Sequence, residues 1–189
     1  MSIWPGRRPK LPTYVRTWLA PDERVLTFAT TAYGDLVLAS PRGLWMADHN
    51  SARSGASPDE PAGQLISWES IVTARWAGDV LTVTAAEEAA PQIMKRLPTI
   101  SLPLPEPADL PRVVRQRVDR SVAASHRRAI SPTATVLLVG RRVSGRDGLL
   151  WYAVFDRDSD ADDPQARELA TAMLQAASAT MSPSRPDSD

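Results

Sequence analysis

The sequence predicts an α+β fold, mainly β: a small antiparallel barrel, or two packed sheets, capped by an amphipathic helix and followed by an appended β-hairpin and a C-terminal helix. Three observations carry this reading. Short segments rich in β-branched and aromatic residues recur between Val25 and Leu102, separated by turn residues. A run from Asp109 then places Leu110, Val113, Val114, Val118 and Val122 at spacings of three and four. Finally, two apolar segments flank the sequence SGRDG at 144–148 before a second helical pattern opens at Asp163. At 189 residues, with 43% hydrophobic and 23% charged side chains, the chain has the size of one globular domain with a small extension.

Residues 1–12 combine Trp4 with Arg7, Arg8, Lys10 and three prolines, and are expected to form a flexible arm. Tyr14, Val15, Trp18 and Leu19 share one helical face, so a short helix is expected here, plugging one end of the core. Val25 to Thr31 reads as the first strand. The turns Tyr33-Gly34-Asp35 and Pro41-Arg42-Gly43 lead into strands at 36–40 and 44–47, giving a three-stranded meander. Residues 48–63 hold almost no large apolar side chain, which makes them a long loop, either mobile or functional. Strands are expected again at 64–68, 71–76, 80–84 and 99–102, with Glu87 and Glu88 on a surface segment between the last two. The helix is expected over 109–125, with Asp109 as its cap and Pro111 in its first turn. Strands at 133–143 and 148–156 form the hairpin. Asp163 caps a last helix that buries Ala166, Leu169, Ala170, Met173, Leu174 and Ala177, and the chain frays after Ser178. The predicted organisation is an arm over 1–12, a β domain with its capping helix over 13–125, a hairpin and helix over 126–178, and a disordered tail over 179–189.

Composition excludes several classes. Twenty-two basic residues balance 22 acidic ones, so no whole-molecule field steers the chain to nucleic acid or to an anionic membrane. The absence of cysteine removes disulfides, thiolate metal sites and cysteine nucleophiles together. No apolar run has the length of a signal peptide or a membrane span, and a cytoplasmic location is the expectation. Twenty of the basic residues are arginine, a bias that suits a GC-rich genome.

The stretch from Val25 to Ser125 resembles the bacterial pleckstrin-homology-like domains, and the whole layout is similar to an uncharacterised actinobacterial group of them. The segment LVLASPRGLW at 36–45 looks like their strand, arginine-bearing turn and strand. ISWESIVTARW at 66–76, followed by Gly78 to Val83, is similar to their tryptophan-bearing strand pair and next turn. The resemblance implies a scaffold that serves protein or peptide binding. Lipid-binding members hold inositol phosphates with basic residues around the first hairpin, where this chain has Ala32-Tyr33-Gly34-Asp35. That departure argues against phosphoinositide recognition.

Candidate chemistry is sparse. The string Asp156 to Asp163 alternates carboxylates like the opening of a calcium loop, but Ala161 stands where the turn glycine belongs and Arg167 where the bidentate glutamate belongs. His49, beside Asp48, and His126 are the only histidines. No nucleophile elbow, zinc motif or phosphate loop accompanies them, so neither an enzyme nor a cofactor is expected. The arginines Arg112, Arg115, Arg117 and Arg120, with Arg127, Arg128, Arg141 and Arg142, are the one basic concentration. The expected function is a non-enzymatic protein- or peptide-binding module whose contact surface draws on Trp4, loop 48–63 and Arg112, Arg115 and Arg120, with a peptide adding to an open sheet edge. The alternative is electrostatic binding of nucleic acid or an anionic surface by the arginine face of helix 109–125. The other tryptophans, Trp18, Trp45, Trp68, Trp76 and Trp151, are read as core or half-buried fillers.

Overall fold

A computed structural model describes residues 11–47, 63–132, 134–143, 147–156 and 161–181. Trp4, His49, all of the expected loop 48–63 but Gly63, and the tail beyond residue 181 lie outside the described residues. The fold is α+β and mainly β. Strands β1 (Thr27–Thr30), β2 (Leu36–Ala39), β3 (Gly43–Ala47) and β4 (Gly63–Ser67) form an antiparallel sheet in sequence order. β5 (Ile71–Ala77), β6 (Val80–Ala90), β7 (Ile93–Arg96), β9 (Val122–Ala129), β10 (Thr135–Arg141) and β11 (Leu150–Phe155) belong to a second sheet ordered β5-β6-β7-β11-β10-β9, with β8 (Ile100–Pro103) paired to β6. Helix α1 (Leu110–Ser121) packs on β5, β1 and β2, and helix α2 (Pro164–Met181) packs on β11, β10 and β7.

Alternation explains the main core. Leu81, Val83 and Ala85 of β6 point inward together with Val37, Ala39, Leu44, Met46 and Ile66 from the first sheet, and Leu110 and Val114 of α1 close the space between the sheets. The outer face of the first sheet is also apolar. Leu36, Leu38 and Trp45 pack there against Val15 of a short 3-10 helix, Thr13–Thr17, and against Trp18, which caps its end. The predicted plug at the end of the core is therefore a cover on an outer face. A strand buried on both sides, as β2 is, needs exactly such a lid, and all four of its residues are buried.

Strand β6 is the spine. Its first half pairs with β5 and β8, and its second half pairs with β7, which then pairs in parallel with β11. The β10–β11 hairpin thus joins the barrel-side sheet, a question the sequence left open. On one face of this extension Val136, Leu138, Trp151, Ala153 and Phe155 pack under Ala166, Ala170 and Leu174 of α2. The other face carries Met94, Val139 and Val154.

Four expectations are corrected. The helix predicted over 109–125 ends at Ser121, and Val122 starts β9 with no intervening loop. Eight residues from Val122 pair with β10, and the ladder overrides the helical pattern. Asp109 makes no side-chain cap bond to the helix backbone; its carboxylate accepts from Arg112 Nε at 3.2 Å instead. Leu169, expected in the core, is 42% exposed, because it lies off the stripe of Ala166, Ala170 and Leu174. The last helix continues past Ser178 to Met181, with the Ser178 and Thr180 hydroxyls donating to carbonyls within it. The Asp163 cap does form, its Oδ1 accepting from the Gln165 amide at 3.0 Å.

Candidate binding surfaces beside helix α1

Helix α1 borders a surface site on each flank. Turns of 3.6 residues put Pro111, Arg115 and Asp119 toward β5, while Arg117, Arg120 and Ser121 face the opposite side. The β5 flank forms a groove of about 770 Å³. Its base includes the buried Leu81 and Val114, and its rims carry Trp76 and Arg75 from β5 with Arg112 and Arg115 from the helix. Strand β5 pairs only with β6 among the described strands, so its second edge is open here. Trp76 is 38% exposed. Of the large hydrophobic side chains exposed among the described residues, Tyr33, Trp76 and Leu169, only Trp76 borders this groove.

The groove's charge is moderated by acids. Arg112 is paired with Asp109 and Arg115 with Asp119, at 3.2 and 3.6 Å. The hydrogen bond from Arg112, then its charge, holds the Asp109 carboxyl below its usual range, and the same contact raises the Arg112 guanidinium. Both pairs are solvent-exposed, where an ion pair contributes little stability.

The opposite flank holds a smaller pocket of about 210 Å³. Arg117 and Arg120 of α1 and Arg142, which follows β10, line it together with Trp68 and Ser121. Behind Ser121 lies Arg141, 2% exposed. Its Nη2 donates to the Ile71 carbonyl at 2.7 Å, and its Nη1 donates to Ser121 Oγ at 2.8 Å and, more weakly, to the Trp68 carbonyl at 3.4 Å. Burial pushes this guanidinium below the ordinary arginine range, against the charges of Glu69 and Tyr152.

The basic residues grouped by the sequence stay together only in part. Arg112, Arg115 and Arg120 line one shallow depression on α1 with Gln116 and Asp119; Arg112 and Arg115 also line the β5 groove, Arg120 also lines the opposite pocket, and Arg141 is buried in the fold. Arg127 bonds the Asp156 carboxylate, which also lies 2.9 Å from Arg96 Nη2 and accepts from Thr135 Oγ1. Arg128 borders a shallow groove with His126 and Met173 beside α2. Asp156, the first carboxylate of the calcium-like string, is thus engaged by two arginines, and Asp162 lies 3.5 Å from Lys95. No group of three metal-ligating side chains gathers among the described residues. No helix among them is long and apolar enough to cross a membrane.

Two site residues escaped the sequence reading. Trp76 was read as a core or half-buried filler rather than as a site residue, and only its place at the end of β5, directly before the Gly78 turn, signals its 38% exposure. Arg142 was grouped with the helix arginines, but its approach to Arg117 and Arg120 depends on the β9–β10 pairing. No protein-family model, curated protein or solved structure matches this chain.

Proposed function

We propose that this chain is a non-enzymatic protein- or peptide-binding module on a pleckstrin-homology-like scaffold, and that it receives an extended peptide in the groove between β5 and α1. The observation that carries the reading is an open strand edge beside a half-exposed tryptophan. An added strand gains main-chain hydrogen bonds along β5 and seats an apolar side chain against Trp76, while Arg75 and Arg112 favour an acidic neighbour. The four-strand meander facing a second sheet, with α1 against both, supports the scaffold assignment.

Selection of binders from a random peptide library on the full-length protein tests this. Selected peptides should shift β5 amide resonances, and Trp76→Ala should weaken them at least about tenfold, the scale of an aromatic hot spot. Peptides that bind equally well to the Trp76→Ala variant, or that leave β5 unperturbed, overturn the reading. The exposed Arg112, Arg115 and Arg120 favour the electrostatic alternative, in which duplex DNA or anionic vesicles bind with an affinity that collapses as salt rises. Asp109 and Asp119 weigh against it by offsetting two of those charges.

A further inference from the structure

We propose that the pocket bordered by Arg117, Arg120 and Arg142 binds a single phosphomonoester group. It lies on the flank of α1 away from the β5 groove, and the argument for it is independent of whether a peptide occupies that groove. Three guanidiniums from two separate chain segments converge on it, and no carboxylate lines it. Among the described residues, none of the three forms an ion pair, whereas Arg42, Arg112, Arg115 and Arg127 each have a carboxylate within 4 Å.

A fourth cation lies beneath the wall. Arg141 bonds Ser121 Oγ and the Trp68 carbonyl, and Ser121 and Trp68 both line the pocket. Its partners are neutral oxygens. Glu69 acts on it only at longer range, so a buried positive charge stands behind the pocket in a medium that screens it weakly.

The ordinary explanation for basic residues at the end of a helix is compensation of its dipole. That accounts for Arg120 in the last turn of α1. It does not account for Arg142 and Arg141, which reach the site from β10 and the residue after it. Ligand chemistry follows from charge and size. A carboxylate needs one guanidinium fork, whereas a phosphomonoester carries close to two negative charges and three acceptor oxygens, enough to engage several. A volume of about 210 Å³ takes a phosphoryl group and the first atoms of its carrier. It falls below the ~300–1,000 Å³ typical of sites that enclose a whole small molecule. The carrier is a phosphorylated side chain or a small free phosphate. The site is also separate from the first hairpin, whose lack of basic residues argues against phosphoinositide.

The test titrates ¹⁵N-labelled full-length protein at neutral pH with O-phosphoserine and, separately, with inorganic phosphate. The Trp68 indole and the Ser121 and Arg142 amides should shift, while the Trp76 indole stays still. Arg120→Gln and Arg142→Gln should each weaken binding about tenfold or more, and Arg16→Gln, on the remote 3-10 helix, should bind like the parent. Arg142→Lys keeps the charge but not the fork and should fall between. Tighter binding of phosphoserine than of inorganic phosphate assigns a phosphorylated side chain; equal binding assigns a free phosphate. The proposal is overturned if neither probe moves these resonances, or if the shifts survive in folded Arg120→Gln and Arg142→Gln protein. Binding of phosphatidylserine vesicles without binding of phosphoserine overturns it as well.

Discussion

Replacing Arg141 by alanine removes a charged side chain that ties β10 to the start of β5, to Trp68 in the turn before it and to the end of α1. Two close hydrogen bonds disappear, to the Ile71 carbonyl at 2.7 Å and to Ser121 Oγ at 2.8 Å, with the weaker one to Trp68. A buried acceptor that loses its donor costs about 1–3 kcal/mol, so the pair costs about 2–6 kcal/mol. The vacated stem adds a cavity term, and release of a buried charge without a carboxylate partner subtracts from the total. The expected net loss is about 3 kcal/mol, a large part of the ~5–15 kcal/mol available to a domain. With a urea m-value of about 2 kcal/mol/M, the unfolding midpoint of the full-length protein should fall by about 1.5 M. Arg141→Met refills the space and sheds the charge while leaving the acceptors bare, so it should lose roughly half as much. A cycle with Ser121→Ala should show a coupling of about 1 kcal/mol. An Arg141→Ala variant within about 0.5 kcal/mol of the parent, the scale of an ordinary surface substitution, would refute the claim that this guanidinium links the two parts of the sheet.

Glu23 gives a pH-dependent prediction. Burial raises its pKa, but hydrogen bonds from Ser40, Trp45 and the Ala20 amide, with the charge of Arg42, together hold it below the usual carboxylate range. A depressed folded pKa means stability that is present above the unfolded value and lost as pH falls through the folded one. Glu23→Gln should therefore be less stable than the parent at neutral pH, with the gap closing in acid melting curves. Gly43→Ala should cost about 1–3 kcal/mol in denaturant titrations, because the added methyl overlaps the Ile66 carbonyl across the β3–β4 ladder, where backbone yields little. Leu169→Asp should change stability by less than about 0.5 kcal/mol, whereas Leu174→Ala, on the buried stripe of the same helix, should cost about 2–5 kcal/mol in the same titration.

Local chemistry made the strands of the first sheet legible, since each is short, alternating or wholly apolar, and bounded by proline, glycine or aspartate. The end of β6 and the start of β9 were not legible for the same physical reason. Residues 85–90 read AAEEAA, a composition that favours helix, and they form a strand because β7 pairs with them. Val122 continues the valine stripe of α1 in sequence, but β10 captures it as the first residue of β9. Both are cases in which a partner distant in the chain outweighs local preference. The candidate sites divide in the same way. Arg112, Arg115 and Arg120 were visible as a helix face, whereas the open edge of β5 and the meeting of Arg142 with Arg117 depend on strand order, which alternation does not encode.

Helix α1 borders both proposed sites, so what fixes α1 matters to both. At its start, Leu110 and Val114 are buried against the main core. At its end there is no loop to absorb motion: the chain passes from Ser121 directly into β9, the Arg142 amide donates to the Ser121 carbonyl at 2.8 Å, and Arg141 holds Ser121 Oγ. A helix secured at both ends keeps the width of the β5 groove and the spacing of the arginine pocket nearly constant, which lowers the ordering cost of binding at either. The β9–β11 extension with α2 supplies that second anchor, because Arg141 and Arg142 come from it. Its role in binding is then twofold: through Arg141 it holds α1 in place, and through Arg142 it contributes a guanidinium to the proposed phosphate pocket.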